Sequence, residues 1–129
     1  MTIRPSRQVR FLRAQVESVA PDRCAAQVEL LGAAATYVGR AEGGCMDLEG
    51  LRAGAQATAT ALRDLGHRVE VDGVEMVMTF GEPAVVVRVM AEHDEETRRL
   101  VGYCLVGEDG LRAAALAVLN ATNRFLEIG

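Results

Sequence analysis

The chain contains no lysine and no tryptophan, and aromatic residues make up only 4% of it. All 14 basic residues are therefore arginines, and with 18 acidic residues the net charge is −4. A protein that binds nucleic acid without sequence preference presents a positive surface, so this charge balance argues against a nucleic-acid partner. Because aromatic residues are so few, the core has to be built from valine, leucine, alanine and methionine.

Long apolar runs and paired cysteine motifs are also missing. No run approaches the roughly 18 residues of a membrane-spanning helix, and arginines interrupt the N-terminal segment too often for a signal peptide. The cysteines Cys24, Cys45 and Cys104 are odd in number and form no Cys-x-x-Cys motif. This usage is typical of a reducing compartment and argues against a disulfide framework or a zinc site. We therefore expect a cytoplasmic protein with no membrane partner, metal or cofactor, in which Cys24 and Cys104 are buried and inert.

Charge is unevenly distributed along the chain. Arg4, Arg7, Arg10 and Arg13 lie in the first 13 residues, which carry no acid, whereas acids outnumber arginines in the remainder. Such a basic arm could contact an acidic partner or a phosphate. Short basic segments are common, however, so a solvated N-terminus is the favoured interpretation.

The second half of the chain repeats the plan of the first. Gly50-Leu51-Arg52-Ala53 begins an alanine-rich helical segment, and Gly110-Leu111-Arg112-Ala113 begins another, 60 positions later. A strand-like segment with a Val-Gly step precedes each, at Val38-Gly39 and at Val101-Gly102. A fixed internal period indicates that one supersecondary unit is used twice.

The predicted fold class is α+β, with two pseudo-symmetric β-β-β-α units, antiparallel sheets and two long alanine-rich helices. By its size the chain is one domain, residues 1–129, made of units 9–66 and 67–129. Strands are predicted at 9–19, 24–31, 34–41, 68–80, 84–91 and 98–106, and helices at 48–65 and from 110 to about 126.

Several residues mark the ends and irregularities of these elements. Glu42-Gly43-Gly44 is predicted to end the first sheet, and Gly66 to end the first helix. Asp47 and Asp109 are predicted to cap the two helices. The alternation slips near Leu12, which predicts a bulge or a late strand start there, and the strand at 68–80 is predicted to be broken at Asp72-Gly73.

The fifth predicted strand is apolar on both of its faces. Val85, Val87 and Val89 point to one side, and on the other side Arg88 is the only charged residue. A strand of this pattern is buried on both sides. One side meets the helices, and the other has to meet the sister unit, a second subunit or a ligand, which favours a homodimer.

The second predicted helix resembles a helix of a known family. Asp109, Ala113, Ala114, Ala117, Ala121 and Asn123 follow the spacing D-x3-A-[S/A]-x2-A-x3-A-x-N, and Arg124 comes next. This pattern resembles the C-terminal regulatory (dimerisation) domain of the 2-isopropylmalate synthase and citramalate synthase family. The preceding Leu100-Val101-Gly102-Tyr103 is similar to that domain's strand before the loop. The resemblance implies two β-β-β-α units, a homodimer, and binding of a feedback amino acid near the loops that precede the helices.

The chain departs from that family in three respects. Gly43-Gly44-Cys45-Met46-Asp47 lacks the proline of the family's turn, and Ala114 stands where the family has serine. The family's catalytic TIM barrel and its metal-binding His-x-His motif are not found in this sequence. We therefore expect a regulatory chain and not a synthase.

The candidate ligand-binding residues lie in the glycine-rich segments before the two helices. They are Gly43, Gly44, Asp47, Gly107 and Asp109. The free N–H groups of helix N-termini bind carboxylates and phosphates, and both units place the same chemistry at the same point. We predict a non-catalytic small-molecule-binding and dimerisation module, whose partners are a second copy of the chain and a small metabolite such as an amino acid.

Two alternatives remain open at this point. A small enzyme with an apolar pocket, similar to a cyclase or a thioesterase, would need a buried acid or histidine inside that pocket, and the only acids near the apolar strands are Asp72 and Glu75. A ligand-free protein-interaction module would use the basic arm to dock a larger protein. His67 and His93 have no second ligand at metal spacing, and no catalytic residue is predicted.

Overall fold

The fold contains two antiparallel three-stranded sheets and two helices. The computed structural model describes residues 9–45 and 47–128, apart from the side chain of Asp47. The elements are β1 (Arg10–Ala20), β2 (Arg23–Leu31), β3 (Thr36–Gly44), α1 (Asp47–Asp64), β4 (Arg68–Thr79), β5 (Glu82–His93), β6 (Glu96–Leu105) and α2 (Gly110–Leu126). The strand orders are β1-β2-β3 and β4-β5-β6. The predicted α+β class is confirmed, and each sheet is followed by one helix.

Tight turns join most of the strands. Phe80-Gly81 and Asp94-Glu95 connect neighbouring strands with positive φ at both residues, the backbone that suits two-residue hairpins. β2 and β3 are joined by residues 32–35, where the Gly32 N–H donates to the Ala35 carbonyl at 2.8 Å. This link is longer than the predicted two-residue turn, so β3 begins later than expected.

The irregularity predicted near Leu12 is a bulge and not a late strand start, and the break predicted at Asp72-Gly73 is a bulge within a continuous β4. The β1–β2 register shifts between Phe11 and Arg13, and the β4–β5 register shifts between Val71 and Gly73. Each shift inserts one extra residue, Leu12 or Asp72, into an edge strand. Each bulge lets the strand keep its apolar side chains on one face beyond the extra residue.

The prediction that Glu42-Gly43-Gly44 breaks the first sheet is wrong. β3 continues to Gly44, and Gly43 and Gly44 pair with Cys24 and Arg23 of β2. Glycine is disfavoured inside strands because it has no side chain to pack, but here the packing of α1 over the strand end outweighs that preference. A Cβ on Gly43 would lie at an ordinary contact distance of 3.5 Å from the Cβ of Ala53, so α1 lies directly over this strand end.

Each helix lies against its sheet at one glycine without a side chain between them. A methyl group on Gly39 of β3 would overlap the Ala57 carbonyl and lie 2.7 Å from the Ala61 backbone nitrogen. A methyl group on Gly102 of β6 would overlap the Ala117 carbonyl in the same way. The Val-Gly steps noted in the sequence are therefore the points at which helix and sheet backbones come closest.

The core joins both sheets and both helices. α1 and α2 pack on each other where Gly54 meets the second helix, since a Cβ there would lie 2.8 Å from Leu111 and 3.4 Å from Ala114. The Val9 N–H donates to the Ile128 carbonyl at 2.6 Å, which joins the start of β1 to the segment after α2. The largest fully buried side chains are Leu30, Leu62, Leu126, Ile128, Val28, Val69, Val85, Val87, Val89 and Val118.

The helix ends follow their sequence signals. The Asp109 side chain accepts a hydrogen bond from the Arg112 N–H at 3.1 Å, which confirms the predicted cap of α2. Gly66 has φ +102°, and the N–H groups of Gly66 and His67 bond back to the last turn of α1, which confirms its predicted end. α1 begins at Asp47 itself. The predicted capping role of Asp47 involves a side chain outside the described residues and stays a prediction.

The expectation that no disulfide forms is wrong. Cys24 and Cys45 are bonded, with 5.0 Å between their Cα atoms. The cause is the β2–β3 register, which sets Cys24 opposite Gly43, two residues before Cys45. Cys104 is the free cysteine of the chain and is half-buried rather than buried, with its Sγ donating to the Leu105 carbonyl. The disulfide uses two of the three cysteines and leaves Cys104 as a thiol.

Neither helix in the described residues is long and apolar enough to cross a membrane.

Candidate functional site

A cavity of about 170 Å³ lies at the start of α1. Its walls come from three places: the helix-facing side of the first sheet at Val16, the strand end and loop at Gly44 and Cys45, and the first turns of both helices at Leu51 and Leu111. The lining is almost entirely apolar. The cavity therefore lies where α2 meets α1 and the first sheet.

The cavity exists because α1 does not cover the first sheet completely. Val16 pairs with Ala26 and lies on the helix-facing side of the sheet, yet it is 58% exposed, whereas Ala26 is buried. Helices rich in alanine approach the sheet closely but leave space at its edge, because no long side chain reaches across. An apolar space that is partly open to solvent results.

A charged depression adjoins the cavity. It is about 300 Å³ in volume, and its charged side chains are Arg23, Glu42, Glu49 and Arg52. Gly44 and Ala53 line both spaces. A methyl group on Gly44 would overlap the Glu49 carboxylate, so this carboxylate lies directly over the strand end. An apolar space and charges of both signs thus stand side by side.

The structure places the five predicted ligand-binding residues in two groups. Gly44 lines both the cavity and the depression, and Gly43 lines the depression. Asp47 begins α1, and its side chain lies outside the described residues. Gly107 (φ +60°) and Asp109 lie in the turn before α2 and line neither space. Asp109 already accepts the capping bond of α2 from the Arg112 N–H.

Sequence reasoning did not single out the side chains that shape the site. Leu51 and Leu111 face the cavity, and Arg52 contributes a cation to the depression beside it. A signal for the leucines was present, since both occupy the same position of the repeated Gly-Leu-Arg-Ala segment. Two leucines at equivalent positions in the first turns of contacting helices would be expected to lie close together.

The outward face of the second sheet is a separate apolar surface. It carries Val101 (64% exposed), Tyr103 (61%) and Leu105 (44%) on β6, with Val77 on β4 and Val86 on β5. This set is called the β6 face below. It accords with the apolar alternation expected for the fifth strand, because Val85, Val87 and Val89 are buried on the opposite side.

The outward face of the first sheet is polar. Arg13 forms an ion pair with Glu29, and the Gln15 amide donates to Gln27 at 3.1 Å across the same strands. The two sheets therefore differ in what their outward faces can contact, although their strand order is the same.

The acids required by the enzyme alternative lie away from the cavity. Asp72 accepts from Arg88 at 2.9 Å and lies 3.6 Å from the Nε of Arg99. Glu75 is exposed on the outward side of the same sheet, opposite Val86. Across residues 9–45 and 47–128, no group of three or more potential ligands is positioned to hold a metal ion. Asp72 and Glu75 therefore do not line the cavity.

Comparison with known proteins gives no match, either to a family model or to a curated protein. The family resemblance of the second helix therefore rests on the pattern in residues 100–124 and stays a prediction.

Proposed function

We propose that the protein is a non-catalytic small-molecule-binding and dimerisation module, similar to an amino-acid-sensing regulatory domain. In this proposal its two β-β-β-α units are pseudo-symmetric copies, and the protein works in the cytoplasm. The observation that carries the proposal is the cavity at the contact of the two helices, with the charged depression beside it.

The chemistry of the two spaces favours an amphipathic ligand. A cavity of about 170 Å³ is similar in size to engineered apolar cavities of about 150 Å³ that hold benzene, so it accommodates a short aliphatic side chain. The depression supplies Arg23 and Arg52 for a carboxylate and Glu42 and Glu49 for an ammonium group. A zwitterion with an aliphatic side chain, such as leucine, valine or isoleucine, satisfies both spaces at once.

A ligand bound in the cavity would contact residues of both units. Leu111 belongs to the second unit and Leu51 to the first, and both line the cavity. A ligand that fills the space changes the contact between α1 and α2. A regulatory effect requires such a difference in contacts between two states, and the helix contact provides it.

The ligand proposal is tested by titration calorimetry with leucine, valine and isoleucine, using aspartate and lysine as comparison ligands. We expect the aliphatic amino acids to bind and the charged ones to bind more weakly, since a charged side chain is costly to bury in an apolar cavity. Arg52→Ala removes a charge-assisted hydrogen bond and should weaken binding by about tenfold or more. Arg68→Ala is the matched control, because Arg68 is exposed on the second sheet and away from the cavity.

The outcomes separate the ligand proposal from its alternatives. Equal weakening by the Arg52 and Arg68 variants would contradict binding in the depression. Absence of binding by every amino acid would leave the interaction module as the better interpretation. Turnover of a thioester or another small substrate would favour the enzyme alternative.

The β6 face supports the dimerisation part of the proposal. Its apolar side chains are exposed together, and monomeric proteins rarely leave contiguous apolar surface in water. Next to it Asp72 is paired with Arg88 and Arg99, whereas Glu75 is exposed opposite Val86. A twofold axis brings the same apolar surface of two copies together, and we propose a second copy of the chain as the occupant.

A further inference from the structure

The Cys24–Cys45 disulfide ties the loop before α1 to β2. The two strands it joins are already held by nine residue pairs, from Arg23–Gly44 to Leu31–Thr36. Cys24 is itself the partner of Gly43 in this ladder. The covalent bond is therefore not needed to set the register of β2 and β3, and what it fixes in the folded protein is the position of Cys45.

Cys45 is the residue through which the bond reaches both α1 and the cavity. It follows the last residue of β3, and its carbonyl lies against the first turn of α1, 3.6 Å from where a Cβ on Gly50 would lie. Both cysteines line the cavity. The disulfide is thus part of the cavity wall, and breaking it releases the segment on which the start of α1 rests.

The two sulfur-bearing residues differ in their access to solvent. Cys45 is exposed, whereas Cys24 is half-buried within the sheet. Thiol–disulfide exchange depends on which sulfur an incoming thiolate can reach. A small thiol from solvent therefore meets Cys45 first, and Cys24 is left as the inner thiol that can close the bond again.

We propose that Cys24 and Cys45 form a reversible modification site for low-molecular-weight thiols and disulfides, and that its state sets the order of the cavity wall at the start of α1. The exchange chemistry stands without the proposed function, and only its effect on ligand binding rests on that function. In a reducing compartment a disulfide of this kind is transient and serves redox sensing.

The exchange proceeds in two balanced steps. A small thiolate attacks Cys45 Sγ and forms a mixed disulfide, while the Cys24–Cys45 bond breaks and its electron pair leaves on Cys24 Sγ, which takes up a proton. A second small thiolate attacks the small molecule's sulfur in the mixed disulfide, releasing the small-molecule disulfide and the Cys45 thiolate, which is protonated. The reverse sequence, with the small-molecule disulfide as oxidant, restores the protein disulfide.

The first test uses glutathione as the probe and intact-protein mass spectrometry after acid quenching and alkylation. In buffers of graded reduced-to-oxidised glutathione ratio, the pair should pass from disulfide to dithiol and back. In a Cys104→Ser background, the Cys24→Ser and Cys45→Ser variants each keep a single thiol. Cys24→Ser should accumulate a glutathione adduct on Cys45 several-fold faster than Cys45→Ser accumulates one on Cys24. The Cys104→Ser variant alone is the control, and it should titrate like the original chain.

Two results would overturn the proposal at this stage. The bond could stay intact at every glutathione ratio, which would make it a permanent structural crosslink. Alternatively, the adducts could form at equal rates on the two cysteines, which would remove Cys45 as the point of entry.

The second test measures amide hydrogen exchange in the oxidised and reduced protein. Exchange in residues 51–54, the first amides of α1 that have an acceptor within the helix, should become several-fold faster on reduction, while the β2–β3 ladder keeps its protection. Unchanged exchange at the start of α1, or loss of protection throughout the first sheet, would each contradict a local effect on the cavity wall. Neither test uses an amino-acid ligand, so failure of the ligand proposal would leave these results interpretable.

Discussion

Replacement of Gly39 by alanine tests the close approach of α1 to its sheet. The added methyl group would overlap the Ala57 carbonyl and lie 2.7 Å from the Ala61 nitrogen, whereas real Cβ atoms keep at least 3.0 Å from such neighbours. Both obstacles are helix backbone and cannot rotate away. The helix has to withdraw from the sheet by a distance on the order of 1 Å, because interiors are too closely packed to absorb the group in place.

The cost of this movement follows from the contacts that α1 makes. A gap of about 0.5–1 Å forfeits a quarter to a half of each dispersion contact, and a buried leucine makes about 40–60 of them. α1 buries Leu51, Leu62 and five alanines against the rest of the protein. We expect Gly39→Ala to lower the free energy of unfolding by about 3 kcal/mol or more, at the upper end of the usual cost of overpacking.

The assay is urea unfolding followed by far-ultraviolet circular dichroism, with Gly43→Ala as the matched control. Gly43 lies on the same strand and the same face as Gly39, but its Cβ would meet Ala53 at an ordinary distance of 3.5 Å. The free energy of unfolding of Gly43→Ala should therefore lie within about 0.5 kcal/mol of that of the original chain. A Gly39→Ala variant that is equally stable would refute the inference that helix and sheet backbones are in contact there.

Two further predictions concern the second unit. Val101→Glu on the β6 face should convert the proposed dimer to a monomer, as measured by sedimentation velocity. Val38→Glu, at the equivalent position of the polar first sheet, should leave the association unchanged. A monomeric original chain, or equal effects of the two variants, would contradict the proposed interface. Asp109→Ala should lower the free energy of unfolding by about 1 kcal/mol through loss of the α2 cap, whereas Asp109→Asn should be nearly neutral. Equal destabilisation of the two variants in thermal unfolding would contradict the capping role.

The element order was predictable because it depends on local patterns. The irregularity near Leu12 follows from alternation, and the helix end at Gly66 from glycine's access to positive φ, whereas the predicted break at Asp72-Gly73 is a bulge in a continuous strand. Gly43 and Gly44 were misassigned because their strand conformation depends on a helix that packs over them. The two adjacent glycines are a local signal for a loop, and the packing of α1 over the strand end outweighed it.

The candidate site was only partly predictable for the same reason. Gly44 was identified from its position before a helix, and it lines the cavity. Leu111 and the Cys24–Cys45 bond depend on how α2 meets α1 and on the β2–β3 register. Such relations between distant segments leave no trace in the spacing of either segment alone.

The bare backbone contacts at Gly39 and Gly102 have a mechanical consequence. With no side chain between helix and sheet at these points, there are no rotamers to change and no layer to slide, so each helix moves together with its own sheet. A displacement of α1 would therefore be passed to β3 and, through Gly54 and Leu111, to α2. The α1–α2 contact borders the cavity at Leu51 and Leu111, so a ligand bound there would act on both helices at once.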